Sequence, residues 1–195
     1  MEKKTKMTKY NVNISSISPM LHHGVHSVGM DETTVKKKKG GNALLGDPEE
    51  WRKTIYYDEK IGVYLPAVCI EGSIIEAAKQ FKSGRGTLTK YVRGGLFTTD
   101  DFLPFLVNKK TIFNLDDVEI DKRSVKNPST KGRNMRYRAI FRQWESCFDI
   151  EITADDYIDG PMLLEMLKYA GKFIGVGDFR PRFGRFEVTA FKEIK

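Results

Sequence analysis

The chain has 195 residues, 40% of them hydrophobic, enough for one well-buried core. Its 33 Lys and Arg against 26 Asp and Glu leave a formal net charge of +7, a balance that favours polyanionic partners over cationic ones. Only Cys69 and Cys147 are present, without CxxC or Cys/His spacing, and the longest apolar runs fall far short of the ~20 residues that span a bilayer. These features argue against a zinc site, a disulfide framework and a membrane span. No metal or cofactor is expected, and the cytoplasm of a bacterial or phage-infected host cell is the expected compartment.

Residues 1–9 carry four lysines and no apolar segment behind them, which reads as a solvated basic tail rather than a secretory signal. From Tyr10 to Ile17, Tyr10, Val12 and Ile14 alternate with polar residues, the period of a strand with one buried face. Residues 18–57, with Gly24, Gly29, Lys36 to Lys39 and Gly40-Gly41, read as a long mobile insertion. Asp58 to Val68 reads as a short hairpin ended by Pro66. Ile70 to Phe81 places Ile74, Ile75, Ala77, Ala78 and Phe81 at helical spacing, with Gly72 or Ser73 at the start. The segment from Ser83 to Leu106 reads mostly as loop.

Asp117 to Val125 and Met135 to Trp144 read as the strands of a long hairpin, with Cys147 to Thr153 as a third strand beside them. Pro161 at a first helical position, followed by Met162, Leu163, Met166, Leu167, Ala170 and Phe173, marks a second helix. Arg185 to Phe191 reads as the final strand. The order is βαββαβ, so the expected fold is α+β, a ferredoxin-like or RRM-like core in one domain over 1–195, with a basic hairpin at 122–142.

That hairpin carries Lys122, Arg123, Lys126, Lys131, Arg133, Arg136, Arg138 and Arg142 with no acidic residue among them. Tyr137, Phe141 and Trp144 interleave. Rings for stacking beside cations for phosphates are the equipment of single-strand binders. The same pattern also fits an exposed, solubilising hairpin with Phe141 and Trp144 in the core. A second feature alternates Gly175, Gly177 and Gly184 with Arg180, Arg182 and Arg185; glycines admit close backbone approach, and arginines offer planar phosphate contacts. The plain alternative is a tight helix-to-strand connection. Gly175-Val176-Gly177 follows a helix, so it is not a dinucleotide fingerprint. His22, His23 and His26 read first as polar loop residues; general acid–base cleavage of RNA through them, or through Asp31, is the competing reading.

Ile17 to Gly24 followed by Tyr64-Leu65-Pro66 and Ile70 to Ala78, with Gly175-Val176-Gly177 and Phe183-Gly184-Arg185-Phe186 near the end, resembles the RAMP superfamily of CRISPR-associated proteins. The likeness is to its guide-binding backbone subunits and phage-borne relatives. Here the helix lacks the basic residue that the family places after Gly72. The resemblance implies finger-like extensions over bound RNA, subunits stacked along the strand as a filament, and, in some members, cleavage by an aspartate or histidine.

The expected function is a non-catalytic binder of single-stranded RNA or DNA that self-associates along the strand. Its expected contacts are Arg123, Lys126, Lys131, Arg133, Arg136, Tyr137, Arg138, Gly175, Gly177, Arg180, Arg182 and Arg185. The alternatives are a metal-independent endoribonuclease and a phage protein that binds a host nucleoprotein complex through a protein partner.

Overall fold

The computed structural model describes residues 7–24, 48–126, 131–153 and 156–194. His26, Asp31 and the lysines at 36–39 lie outside the described residues. Among the described residues, no helix is long and apolar enough to cross a membrane.

Strand β1 (Thr8–Ser16) buries Tyr10, Val12 and Ile14 on one face, as the alternation requires. Lys9, expected in the basic tail, is part of this strand, with its Nζ 3.4 Å from Asp149 Oδ2. The next segment departs from the expected insertion. Met20 and Leu21 form β2 (Met20–Leu21) and are fully buried, and Trp51 on α1 (Glu50–Thr54) and Ile55 also enter the core. Glycines and lysines dominate that stretch, but a few large apolar residues suffice to pin its ends.

The hairpin of β3 (Tyr57–Asp58) and β4 (Gly62–Pro66) leads into α2 (Ala67–Ala77). The helix begins at Ala67, directly after the extended Pro66 and several residues before the expected start. Ser73 lies instead in its buried face beside Ile70, Ile74 and Ala77. The expected loop contains β5 (Lys82–Ser83), β6 (Gly86–Thr87), α3 (Thr89–Gly95), β7 (Leu96–Thr98), β8 (Phe102–Pro104) and β9 (Leu106–Val107), anchored by buried Leu88, Val92, Leu96 and Leu103. After β10 (Lys110–Thr111) come β11 (Glu119–Lys126), β12 (Arg133–Phe141) and β13 (Glu145–Ile152). Helix α4 (Gly160–Tyr169) has Pro161 in its first turn and Asp159 accepting from the Met162 N–H at 2.8 Å. The chain ends in β14 (Phe186–Ile194).

The fold is ferredoxin-like. Strands β14, β1, β13 and β7 lie side by side in that order, every neighbouring pair antiparallel, with Val12 opposite both Phe148 and Phe191. Helices α2 and α4 pack on one face through Ile70, Ile74, Leu163, Met166 and Leu167. On the other face the central strands present Lys9, Asn11, Asn13 and Ser15 from β1 and Glu145, Cys147, Asp149 and Glu151 from β13. Those central strands carry no ring on which a base would stack, unlike the sheet platform of an RNA-recognition module, although the edge strand β7 places the half-exposed ring of Phe97 opposite Glu151 on that face.

Strand β13 was expected beside the basic hairpin, but it pairs with β1 instead. The hairpin of β11 and β12 joins β2 in a sheet of its own, with Ile140 opposite Leu21 and Phe141 opposite Met20. Trp144 makes the corner between β12 and β13. Its indole is buried and donates to Ser18 O at 3.2 Å, and its backbone N–H donates to Ser16 Oγ at 3.0 Å. Phe141 and Trp144 are therefore core residues.

Candidate nucleic-acid interface

Helix α4 does not stop cleanly. It widens into a π-helical turn over Ala170–Ile174, closed by the Gly175 N–H donating to Ala170 O at 2.8 Å. Gly175 then has φ +77° and ψ −178°, a conformation that essentially only glycine adopts. The loop that follows is held by parts of the chain remote in sequence. Ser73 Oγ donates to Gly175 O at 2.9 Å, the Asp178 N–H to Leu21 O at 2.9 Å and the Gly184 N–H to Pro19 O at 2.8 Å. Within the loop, the Val176 N–H donates to Gly184 O at 2.9 Å. Gly184 has φ +75°, and a Cβ there would overlap Val176 O.

Between this loop and the start of α2 lies an open cleft of about 770 Å³. Cys69 and Gly72 belong to the α2 wall, while Phe173, Phe179 and Arg180 belong to the loop wall. A Cβ on Gly72 would meet nothing within 4 Å, so the helix backbone borders open space there. Burial pushes the Cys69 thiol up, against hydrogen bonds to the Gly177 backbone and the Tyr56 side chain that lower it. Tyr56 is also pushed up by burial, so both groups are protonated near neutral pH. Arg180 lies on the solvent side, with Nη1 at 3.5 Å from Gly175 O.

The basic hairpin borders the other side of the loop, and strand alternation divides its charges between two faces. Asp121, Arg123, Arg136 and Arg138 share one face, since Arg123 pairs with Arg136 and Asp121 with Arg138. Lys122, Lys126, Arg133 and Tyr137 share the other. On the first face the Arg123 guanidinium lies over the Phe183 ring at 4.6 Å and receives Asp121 as a partner, with Nε at 2.6 Å from Oδ2. On the second, Lys122 Nζ sits 5.5 Å from the Tyr137 ring centre, and Arg133 Nε donates to Ser124 Oγ at 3.0 Å.

The expected contact residues therefore part company. Arg180, Arg182, Lys126, Lys131 and Arg133 are exposed, and Arg123 and Arg136 are half-buried on the face turned to the loop. Arg138 is a correction. It is only 6% exposed and forms an ion pair with Asp178, Nε to Oδ2 at 2.7 Å, so it belongs to the support of the loop. Arg185 is half-buried, its backbone carbonyl accepting from the N–H groups of Ile17 and Ser18. Gly175 and Gly177 shape the loop.

His22 is a second correction. It is fully buried among Tyr56, Phe105 and Phe141, and its Nδ1 accepts from the Tyr56 N–H at 3.3 Å. Burial lowers its pKa to about 3. An imidazole that neither meets solvent nor titrates near neutrality does not serve as the acid or base of a cleavage reaction. His23 is half-buried beside it.

Sequence reasoning passed over Asp178 and Phe179 and gave Ser73 and Phe173 only structural places, at a helix start and in an apolar stripe. Phe173 was expected in the apolar stripe of α4, but the wider π-turn rotates it out of register, leaving it 51% exposed. Phe179, 46% exposed and with φ +58°, sits in the Arg-rich run where only the arginines drew notice.

No family model matches the sequence, and no curated protein matches it. Among solved structures, the chain is similar to one in the cryo-EM structure of the Type III-B Cmr-beta bound to cognate target RNA. The likeness covers 97% of this chain at a TM-score of 0.50 and 15% sequence identity, and this chain spans 61% of that chain's length. What the two share is the fold.

Proposed function

We propose that the protein is a non-catalytic binder of single-stranded RNA, related to the RAMP superfamily, that works inside a nucleoprotein complex. The observation that carries this reading is the loop of Gly175 to Arg185. Its backbone is fixed from three sides, while Arg180, Arg182 and the ring of Phe179 remain exposed beside an open cleft. A fixed loop that presents cations and a ring, with its carboxylate, Asp178, taken up by Arg138, suits a sugar-phosphate chain with unpaired bases. Lys126 and Arg133, exposed on the hairpin face turned away from the loop, add positive charge beyond it. The fold neighbour, which comes from an RNA-bound assembly, supports RNA as the strand and a multi-subunit setting. Stacking of subunits along the strand is part of the proposal.

Fluorescence anisotropy against single-stranded RNA, single-stranded DNA and duplex DNA at two salt concentrations tests it, with size-exclusion profiles of each mixture. Salt-sensitive binding of single-stranded RNA, with larger assemblies on longer strands, is the expected result. Equal binding of duplex DNA, or no binding of RNA, would remove the proposal.

A further inference from the structure

Each lip of the cleft ends a row of aromatic rings that runs out to solvent, from half-buried Phe81 on one side and buried Phe183 on the other. On one side Phe81 meets Tyr169 edge-on at 6.2 Å, and Tyr169 meets Phe173 at 4.7 Å. On the other, Phe183 lies 5.9 Å from Phe179, with Arg123 above both rings. The outermost rings, Phe173 and Phe179, are each about half exposed, and both line the same cleft together with Glu76 on α2. Half-exposed phenylalanines held from behind by further rings are costly to leave in water and gain by being covered. Glu76 is the other informative residue: its Oε2 is paired with Lys79 Nζ at 2.5 Å on the exposed helix surface, and a carboxylate so paired still has lone pairs that accept hydrogen bonds from base donors.

We infer that this cleft seats one unstacked nucleobase of the bound strand, its face against Phe173 and Phe179 and its hydrogen-bonding edge toward Glu76. The inference rests on the single-strand reading above and adds that the cleft takes a base while the arginines outside it take the phosphates. Guanine fits best. Its ring N–H and amino group stand side by side and give a carboxylate two donors, whereas the single N–H of uracil is flanked by carbonyl oxygens that a carboxylate repels.

The test compares ordinary RNA oligomers with abasic strands of equal length, which keep every phosphate and lose every base. The folded wild-type protein is expected to bind the base-bearing strand about tenfold more tightly. It is also expected to quench 2-aminopurine placed in the strand, and to prefer G-containing over U-only oligomers. The Phe173→Ala, Phe179→Ala double variant removes exposed side chains. It should erase the difference between base-bearing and abasic strands while leaving the salt dependence in place, and Glu76→Gln should lower the preference for G. Equal wild-type affinity for base-bearing and abasic strands overturns the base slot and leaves phosphate binding standing. Failure to bind either strand overturns both readings. A preference for G that survives Glu76→Gln overturns the assignment of Glu76.

Discussion

The Arg138 guanidinium on β12 and the Asp178 carboxylate on the glycine-rich loop meet with Nε 2.7 Å from Oδ2. The arginine is almost wholly buried and the aspartate about 30% exposed. The contact is an ion pair without a directed Nε–H hydrogen bond, and Arg138 Nη1 has no partner either. Removing the carboxylate would leave a buried cation uncompensated. Asp178→Ala is therefore expected to destabilise the fold by about 2 kcal/mol, below the usual figure for fully buried pairs because Asp178 is partly exposed. Arg138→Met combined with Asp178→Asn should recover most of that loss in urea unfolding. Equal losses in the single and double variants would show that the pair does not couple the hairpin to the loop.

His22 sets a pH dependence of stability. Its pKa falls from the ordinary 6.5 to about 3 on folding, so between those values the unfolded chain binds a proton that the folded protein refuses. The contribution is complete above pH 6.5 and is lost as the pH falls toward 3. Between pH 7 and pH 5 this group alone should remove about 2 kcal/mol of unfolding free energy. Denaturant titrations of the wild type and His22→Leu at both pH values measure it, because the variant should show a smaller loss. Identical losses would mean that His22 protonates in the folded state.

Two glycines should respond in opposite directions. Gly184→Ala forces a side chain into φ +75° and into Val176 O, and should destabilise by about 3 kcal/mol. Gly72→Ala lies within α2, faces open space, and should stabilise by about 1 kcal/mol through helix propensity. Thermal melts of both variants distinguish these effects, and a neutral Gly184→Ala would mean that the loop rearranges at little cost.

The exposed arginines differ in what they already touch. Arg142 is engaged by Glu119 in a charge-assisted pair, whereas Arg180 and Arg182 extend from the loop into solvent. Arg180→Ala and Arg182→Ala should each lower the slope of log K against log salt for single-stranded RNA by about 0.7. Arg142→Ala should leave that slope nearly unchanged. Salt titrations by anisotropy provide the readout, and an unchanged slope in the Arg180 and Arg182 variants would take both residues out of the phosphate contacts.

The regular core was legible in the sequence because its signals are local. The alternation of Tyr10, Val12 and Ile14 and the stripe of Leu163, Met166 and Leu167 arise from burial on one face of one element. Partnership between strands was not legible in the same way. Nothing local reveals that Met20 and Leu21 pair with Phe141 and Ile140, because that match depends on the corner built by Trp144. The hairpin charges were visible as one strip, but strand alternation divides them, and burial removes Arg138 from the surface. The histidines show a similar limit. A polar residue between Leu21 and Gly24 looks solvated until three aromatic rings from distant segments are seen to enclose it.

The loop from Gly175 to Arg185 draws its fixed shape from Pro19 and Leu21 near the start of the chain, Ser73 in the first core helix and Arg138 on the hairpin. It is consequently not a portable motif: transplanted with α4 and β14 alone, it would lose the hydrogen bonds that define its backbone. The reverse also holds. A substitution of Ser73, whose hydroxyl holds the loop and would not touch a nucleotide, should act on binding as strongly as changes in the loop, so the inheritable unit of this interface is the folded chain rather than a short signature.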